Sequence, residues 1–236
     1  MVWAAYHGRI VQSVDHTPNV RSLFFRLGGD LKLDHLPGQF ISVSVPAPSG
    51  IRVKPYTIAS IPEAHSSYEI LFNLVPNGVA SNYLFGLKAG DGIDFTGPFG
   101  TFALAGAPDR ECVFVAETTA IAPIRPMIHR VLSARDHKPV RLIYAAPSSD
   151  ELIYRNEFER AAREDRGFVF EPMIVALDAG TSYLSAICQL IESRYIARAN
   201  RDRRFFICGV GQGVFELRDL LRGAGYERRT VQYERW

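Results

Sequence analysis

Lys54-Pro55-Tyr56-Thr57 places a cation, an aromatic ring and a hydroxyl within one short segment. On a β-strand, Lys54 and Tyr56 face one way while Pro55 and Thr57 face the other. A dinucleotide that carries a flat ring system needs these groups: a cation for its pyrophosphate, a ring to pack on and a hydrogen-bond donor. Taken alone, the segment is more typical of a barrel strand with one solvent-exposed face and no ligand.

Gly78-Val79-Ala80-Ser81 is the second segment with the residue types of a binding site. Glycine lets a ligand approach the backbone closely, and the N-terminus of a helix presents N–H groups and a positive dipole end to an anion. Ser81 is a candidate N-cap for the short helix that follows, and its hydroxyl can also donate to a phosphate. Because many helices begin in this way, the segment becomes informative only in combination with others.

The first half of the chain must position these segments on short strands. Runs rich in β-branched and aromatic residues are separated by turn signals such as Leu36-Pro37-Gly38 and Pro76-Asn77-Gly78. This spacing predicts an antiparallel β-barrel. The predicted strands are Val20–Leu27, Phe40–Val45, Val53–Ile58, Tyr68–Val75 and Ile93–Thr96, with Arg9–Val14 as a weaker candidate.

After Ala105-Gly106-Ala107-Pro108 the pattern changes to alternating strands and helices, which predicts a parallel sheet covered on both faces. We therefore expect two domains, a barrel over 1–107 and a Rossmann-like α/β domain over 108–236. The predicted strands are Glu111–Ala116, Val140–Ala146, Phe168–Leu177, Arg204–Cys208 and Arg229–Glu234. The predicted helices are centred on 121–132, Tyr154–Arg163, Leu184–Ile196 and Val214–Leu221.

Composition excludes several classes of protein. A formal net charge of +2 over 236 residues gives no reason to expect nucleic acid, and no apolar run is long enough to span a bilayer. No signal peptide is recognisable at the N-terminus, so we expect a cytoplasmic protein. Cys112, Cys188 and Cys208 cannot form a four-thiolate metal centre, and the six histidines show no metal-ligand spacing. Any redox centre must therefore be organic, and no hydrolase motif is present.

The order of the motifs in the first half is more specific than any one of them. This order resembles that of the flavin domain of the ferredoxin–NADP reductase family, in its bacterial oxygenase-reductase branch without the iron–sulfur domain. The segments are Pro37-Gly38-Gln39, Lys54-Pro55-Tyr56-Thr57, Phe72-Asn73-Leu74-Val75-Pro76, Gly78-Val79-Ala80-Ser81 and Gly97-Pro98-Phe99-Gly100.

The resemblance implies that the first half binds FAD. The flavin would contact Tyr56 and Thr57, the pyrophosphate would bind the Gly78-Val79-Ala80-Ser81 segment, and Phe72-Asn73-Leu74 would supply further contacts. Lys54, followed by Pro55, stands where the family has arginine. Lysine keeps the positive charge but lacks the bidentate fork of the guanidinium.

The second half resembles the nicotinamide domain of the same family but departs from its motifs. The glycine-rich turn A-x-G-T-G-I-A-P is represented by Ala116-Glu117-Thr118-Thr119-Ala120-Ile121-Ala122-Pro123. Thr118 and Ala120 replace both glycines, which narrows the site, and we expect Glu117 to repel phosphates. Pro147 stands near the position of an arginine that the family often places beside the adenosine ribose.

Two further matches concern the nicotinamide itself. The family's C-G-P motif is Cys208-Gly209-Val210 here, and Cys208 is equally well explained as a buried thiol at a strand end. The resemblance implies an NAD(P) site that contacts Thr118, Thr119, Ala120, Cys208 and Gly209. Trp236 is a candidate for an aromatic ring that stacks on the flavin, and the alternative is packing on the last strand.

The resemblance implies an FAD-dependent oxidoreductase that passes electrons between NAD(P)H and a separate acceptor, such as a ferredoxin-like protein or an oxygenase subunit. Thr57 would bond near the reactive flavin nitrogen, and Cys208 would lie where the nicotinamide meets it. A second hypothesis is a flavin-binding electron-transfer or regulatory subunit whose nicotinamide site has decayed. A third is a protein that keeps the fold without any cofactor.

Overall fold

The computed structural model describes residues 5–61, 67–176 and 183–236. The chain divides into two compact units. The first comprises Met1–Ala105 with Arg125–Met127, and the second comprises Gly106–Ile124 with Ile128–Trp236.

The first unit is an antiparallel sheet of six strands in the order β4-β3-β6-β1-β2-β5. An antiparallel bridge between Ile58 and Ile70, just beyond β4 and within β5, joins the two ends of this order and closes the sheet into the predicted barrel. The elements are β1 Ala5–Thr17, β2 Val20–Leu27, β3 Phe40–Ala47, β4 Gly50–Thr57, β5 Tyr68–Asn73, α1 Val79–Gly86 and β6 Gly92–Phe99.

Alternation of side chains fills the barrel. Along β3, Ile41, Val43 and Val45 are fully buried while the residues between them are only partly covered. Phe25 of β2 and Phe95 of β6 meet edge to face inside the barrel, with ring centroids 5.2 Å apart. This dry core supports the strands that carry the candidate site on one edge.

β1 is much longer than the Arg9–Val14 strand expected from the sequence, since it runs over 13 residues from Ala5 to Thr17. Most of its side chains are exposed, so its apolar alternation is weak. Its length instead reflects backbone pairing, because β1 bonds to β2 on one side and to β6 on the other. Sequence periodicity cannot report such pairing.

The second unit is a parallel sheet of five strands in the order β11-β10-β7-β8-β9, with helices between successive strands, as the sequence predicts. The elements are β7 Glu111–Glu117, α2 Ile121–Leu132, β8 Val140–Ala146, α3 Arg155–Glu164, β9 Phe168–Ile174, α4 Tyr183–Ile191, β10 Arg203–Gly209, α5 Gly213–Gly223 and β11 Val231–Arg235. A π-helical turn, Glu192–Ile196, continues α4.

Hydrophobic runs explain the central strands. Every residue from Cys112 to Glu117 in β7 and from Phe205 to Gly209 in β10 is buried, as expected for strands covered on both faces. The strand order reverses between β7 and β10, and open parallel sheets bind ligands beyond the carboxyl ends of the strands at such a point. Among the strands of this unit, the end of β9 and the start of β11 differ from the prediction by more than one residue. β9 stops at Ile174, and Leu177 lies outside the described residues. β11 begins at Val231 because a 3₁₀ turn occupies Arg228–Thr230.

In the parts of the chain that the structure describes, no helix has the length and apolar character that a bilayer crossing requires. The same parts contain no group of three or more histidine, cysteine or carboxylate side chains that could hold a metal ion.

Candidate functional site

β4 positions the first predicted segment on the edge of the barrel. It pairs with β3 alone until the closing bridge at Ile58. As a result Lys54 and Pro55 are exposed, Tyr56 is half-buried and Thr57 is buried. The strand thus presents the Lys54 cation to solvent and keeps the Thr57 hydroxyl, three residues further along, in a buried position.

Aromatic contacts link the first predicted segment, through Phe72, to helix α1, which begins within the second. The rings of Tyr56 and Phe72 meet edge to face with centroids 5.6 Å apart, and Phe72 meets Phe85 of α1 in the same way at 5.4 Å. Desolvation raises the pKa of Tyr56 to about 12, so its phenol is a neutral hydrogen-bond donor at physiological pH. One face of the barrel edge is therefore aromatic.

The structure corrects the capping role of Ser81. Helix α1 begins at Val79, Gly78 is its N-cap, and no side chain caps it. Ser81 lies in the first turn, where its hydroxyl accepts a hydrogen bond from the Val75 amide at 3.0 Å. Residue type suggested the cap at Ser81. The tight turn made by the bond from the Gly78 amide to the Val75 carbonyl, 2.9 Å, instead puts the cap at Gly78, three residues earlier.

The single hydrogen of the Ser81 hydroxyl also has two possible acceptors close by. The carbonyl oxygens of Gly78 and Val75 lie 3.2 Å and 3.3 Å from Ser81 Oγ. A hydroxyl has one hydrogen to donate, so a phosphate oxygen bound here would compete with these carbonyls for it.

The turn before α1 requires glycine because of close contact. A Cβ on Gly78 would lie 2.8 Å from Ser81 Oγ and 3.0 Å from the Val75 carbonyl oxygen. The φ of Gly78 is an ordinary −74°, so space rather than handedness selects the residue. The first N–H groups of a helix have no partner inside it, and at this bare turn those of Val79 and Ala80 can serve an anion.

Other predicted contacts lie around the same edge. Asn73 at the end of β5 is exposed, and Leu74 is half-buried with its amide bonded to the Asn19 carbonyl at 2.7 Å. Ser60 was not predicted, yet its Oγ is buried and has no hydrogen-bond partner among the described residues. An unpartnered buried hydroxyl three residues after Thr57 is an available donor. Together, the cation, rings, bare helix start and free hydroxyl fit a phosphate-linked aromatic cofactor.

At the carboxyl end of β7, the structure separates the two missing glycines. Thr118 has a φ of +45°, in the left-handed region, whereas Ala120 has an ordinary φ of −65°. A β-branched residue with positive φ is strained by about 1–3 kcal/mol. Position 118 therefore has the left-handed backbone that glycine favours, and the Thr118 side chain strains it. Position 120 has an ordinary backbone that alanine adopts without strain.

Tyr144 of β8 supports this turn, a role that could not be inferred from its place in the sequence. Its hydroxyl donates to the Thr118 carbonyl at 2.7 Å and accepts from the Ile153 amide at 3.2 Å. The ring is fully buried, and desolvation raises its pKa strongly. The only signal was a tyrosine among the apolar residues that follow Arg141 in the strand Val140–Ala146.

Glu117 is not directed as expected. The sequence suggested a carboxylate that repels phosphates, but the side chain is buried and its Oε1 accepts the backbone hydrogen of Val210. Burial raises the pKa of Glu117, and the bond from Val210 opposes this. The carboxylate thus links the end of β7 to the turn that follows β10.

Cys208 and Gly209 end β10 beside Glu117. Cys208 is fully buried, and burial together with the charges of Glu234 and Glu117 raises the pKa of its thiol well above the usual range. A neutral thiol has little nucleophilic character, and its complete burial agrees with the packing thiol at a strand end that the sequence also allowed. Contact between Cys208 and a nicotinamide stays a prediction. Thr119 and Ala120 are buried and Pro147 is half-buried.

Trp236 lies in the second unit and bonds to the same turn. Its backbone amide donates to the Gly209 carbonyl at 3.0 Å, and its indole Nε1 donates to Glu234 Oε1 at 2.8 Å. The side chain is 41% exposed. Stacking of Trp236 on a flavin stays a prediction.

Comparisons with known proteins agree with both regions. The family model described as an oxidoreductase FAD-binding domain matches residues 7–104, and that of an oxidoreductase NAD-binding domain matches residues 114–214. The chain is 28% identical over 240 residues to ferredoxin–NADP reductase B of Sorangium cellulosum, covering 98% of this chain and 97% of that protein.

Two further relatives extend the comparison. The chain is 25% identical to the glycine betaine monooxygenase reductase subunit of Pseudomonas aeruginosa, covering 96% of this chain but only 63% of that protein. A ferredoxin NADP⁺ reductase from Neisseria gonorrhoeae, solved with bound FAD and NADP, superposes with a TM-score of 0.79 at 20% identity and 98% coverage of both chains. This last likeness shows the fold.

Proposed function

Because this chain belongs to the ferredoxin–NADP reductase family, we propose that it passes electrons from NAD(P)H through FAD to a separate carrier protein or oxygenase component. The observation that carries the proposal is the convergence on one barrel edge of a solvated cation, two contacting aromatic rings and a helix start that no side chain caps. Bound FAD supplies the chemistry that converts a hydride into single electrons.

The residues of the barrel edge have distinct roles in this proposal. Lys54 neutralises the pyrophosphate, the N–H groups of Val79 and Ala80 bind its oxygens, and Tyr56 packs against the flavin. Thr57, buried and at the end of β4, donates a hydrogen bond to the flavin ring. Ser60 is a second donor, since its hydroxyl has no partner among the described residues.

The nicotinamide nucleotide binds, in this proposal, beyond the carboxyl ends of β7 and β10. Thr118, Thr119 and Ala120 border the phosphates, while Cys208 and Gly209 pack against the nicotinamide. Support comes from the reversal of strand order at this place and from the NAD-binding family model, which covers both turns. The alternative of a decayed nicotinamide site is not favoured, because the match includes the altered turn.

The acceptor is an electron-transfer protein. The named relatives are a ferredoxin–NADP reductase and the reductase subunit of a monooxygenase, which supports a ferredoxin-like protein or an oxygenase component as the partner. A cytoplasmic location is supported by three free cysteines, as expected in a reducing compartment.

A visible spectrum recorded during anaerobic addition of NADH or NADPH tests the function. We expect a yellow protein that bleaches and then reduces a one-electron acceptor such as cytochrome c. A colourless protein that binds no added FAD would contradict the flavin site. A yellow protein that neither nucleotide bleaches would contradict the nicotinamide site alone.

A further inference from the structure

The turn Cys208-Gly209-Val210 is held from both sides. On one side, Glu117 at the end of β7 accepts the Val210 amide hydrogen through its carboxylate. On the other side, the Gly209 carbonyl accepts the Trp236 amide hydrogen at 3.0 Å. The second bond belongs to the backbone and does not depend on residue type. The first depends entirely on the side chain at 117.

Gly209 makes room for this carboxylate. A Cβ at position 209 would lie 2.8 Å from Glu117 Oε1 and 2.7 Å from Leu184 Cδ1. The Glu117 carboxylate and the Leu184 side chain therefore occupy the space that a side chain at 209 would need. Glycine at 209 and glutamate at 117 fit together, and a larger residue at 209 would displace the carboxylate.

Burying a carboxylate disfavours folding unless the group is bonded. Glu117 is only 3% exposed, and burial raises its pKa. An apolar residue would fill this place with a smaller desolvation penalty, so the presence of a bonded carboxylate here points to a specific use of its acceptor. Both the neutral and the ionised carboxyl group have an oxygen that can accept the Val210 hydrogen, so the bond does not require one protonation state.

Val210 also departs from the family motif, which has proline at this position. Proline fixes its own φ and has no N–H to donate. Valine lacks that restraint but provides the N–H that Glu117 binds. Glu117 and Val210 thus form a matched pair, in which their hydrogen bond restrains the turn in place of the proline ring.

We propose that Glu117 is a positioning residue for hydride transfer, which holds the Cys208-Gly209-Val210 turn against the nicotinamide by accepting the Val210 amide hydrogen. The inference rests on the proposed function for the site that the turn borders. Glu117 itself touches neither cofactor in this scheme, and it acts through the backbone of Val210.

Amide hydrogen exchange at Val210 tests the bond without any cofactor chemistry. We expect slow exchange in the wild type and in Glu117→Gln, which keeps an acceptor oxygen, and exchange at least about tenfold faster in Glu117→Ala. Gly209→Ala offers a second disruption with Glu117 retained, in case Glu117→Ala does not fold. Equal exchange at Val210 in all four proteins would overturn the proposal.

Stopped-flow reduction by NADH and NADPH tests the positioning. In Glu117→Ala we expect the rate at saturating nucleotide to fall by about tenfold while the Kd changes by less than about threefold, and Glu117→Gln to remain near the wild type. A merely structural role would lower thermal stability without this split. An unchanged saturating rate in Glu117→Ala would overturn the proposal.

The double variant Glu117→Ala with Val210→Pro is the sharpest test. Proline should restore the restraint, so the double variant should recover most of the rate lost in Glu117→Ala, whereas Val210→Pro alone leaves the buried carboxylate without its donor. A double variant as slow as Glu117→Ala would contradict the idea that the Glu117–Val210 hydrogen bond and a proline ring restrain the turn in the same way. A wild type that neither nucleotide reduces would overturn the proposed function and the link to nicotinamide, while slow Val210 exchange would still show that Glu117 holds the turn.

Discussion

The barrel edge and the carboxyl edge of the parallel sheet, the two places where we propose that dinucleotide phosphates bind, are built in different ways. At the barrel edge, Gly78 leaves the helix start bare and no Cβ could be added. At the sheet edge, Thr118 takes up a left-handed backbone in spite of its side chain. The comparison teaches that a motif can lose its residue type and keep its backbone when neighbouring groups hold it.

The supporting groups differ accordingly. The barrel edge relies on local contacts, such as those of Ser81 with the turn just before it. The sheet edge relies on contacts from other strands, with Tyr144 bonded to Thr118 and Glu117 bonded to Val210. Substitutions at the first edge should therefore affect the ligand, and substitutions at the second should affect stability and the turns as well.

The largest effect is expected when the barrel edge loses two contacts at once. Tyr56→Ala with Ser81→Ala should weaken FAD binding by about 3 kcal/mol, roughly a hundredfold in Kd, because a packing ring and a donor to a charged group are removed. Flavin content and fluorescence titration measure this.

Asn82→Ala is the matched control for that double variant. Its side chain bonds the same Gly78 carbonyl, at 2.7 Å, but is exposed. If Asn82→Ala lowers FAD affinity as much as the double variant does, the effect lies in the turn and not in the proposed contacts. Normal FAD retention in the double variant would show that the cofactor binds elsewhere.

The second prediction concerns the pH dependence of stability at the sheet edge. Burial raises the pKa of Glu117 above its ordinary 4.5, so its contribution to folding is fully present below that value and is lost as pH rises through the folded pKa. Each unit of the raise corresponds to about 1.4 kcal/mol. The amide side chain at this position in the Glu117→Gln variant does not titrate. The melting temperature of the variant minus that of the wild type should therefore increase from pH 4 toward neutral pH.

Thermal unfolding of both proteins across that pH range provides the measurement. Taking the difference between them removes the contribution of Glu234, whose pKa burial also raises. A difference that does not vary with pH would show that Glu117 titrates normally in the folded protein.

A smaller effect should separate the two replaced glycines. Thr118→Gly should stabilise the fold by roughly 1 kcal/mol, because relief of left-handed strain exceeds the entropy that glycine adds to the unfolded chain. Ala120→Gly, its matched control, should destabilise by about 0.5–1 kcal/mol, because the φ of −65° at 120 suits alanine. Urea midpoints measure both, and equal effects at the two positions would contradict the different strain inferred for them.

The smallest effect is expected at Trp236, and it requires a substitution rather than a truncation. Truncation would also remove the backbone amide that bonds to the Gly209 carbonyl. Trp236→Ala keeps that bond and removes the ring, so a change in flavin fluorescence would support stacking. With Trp236→Phe as control, an unchanged spectrum and reduction rate in both variants would leave Trp236 as a surface side chain.

The sequence predicted the two folds well because their signals are local. Alternation along Phe40–Val45 and continuous apolar runs such as Glu111–Ala116 report burial directly. The barrel-edge residues could also be named, since the motifs are short segments on single strands or turns.

What the sequence could not supply were bonds between distant positions. Glu117 and Val210 are 93 residues apart, and Tyr144 lies 26 residues from Thr118. Their partnership depends on which strands are neighbours, and no local pattern encodes it. The length of β1 was missed for the same reason. The helix start at Val79 was missed for a different one, because a local backbone turn rather than the residue type at 81 decided it.

The open edge of β4 bears on self-association as well as on binding. Ile51 and Val53 are 74% and 57% exposed on a strand that has a neighbour on one side only. Such an edge is a template for another chain's strand. The charged residues Arg52 and Lys54 and the missing N–H of Pro55 oppose that pairing. The segment that we propose binds the cofactor is therefore also expected to limit aggregation, and a variant that removes the charges of Arg52 and Lys54 should be less soluble than the wild type.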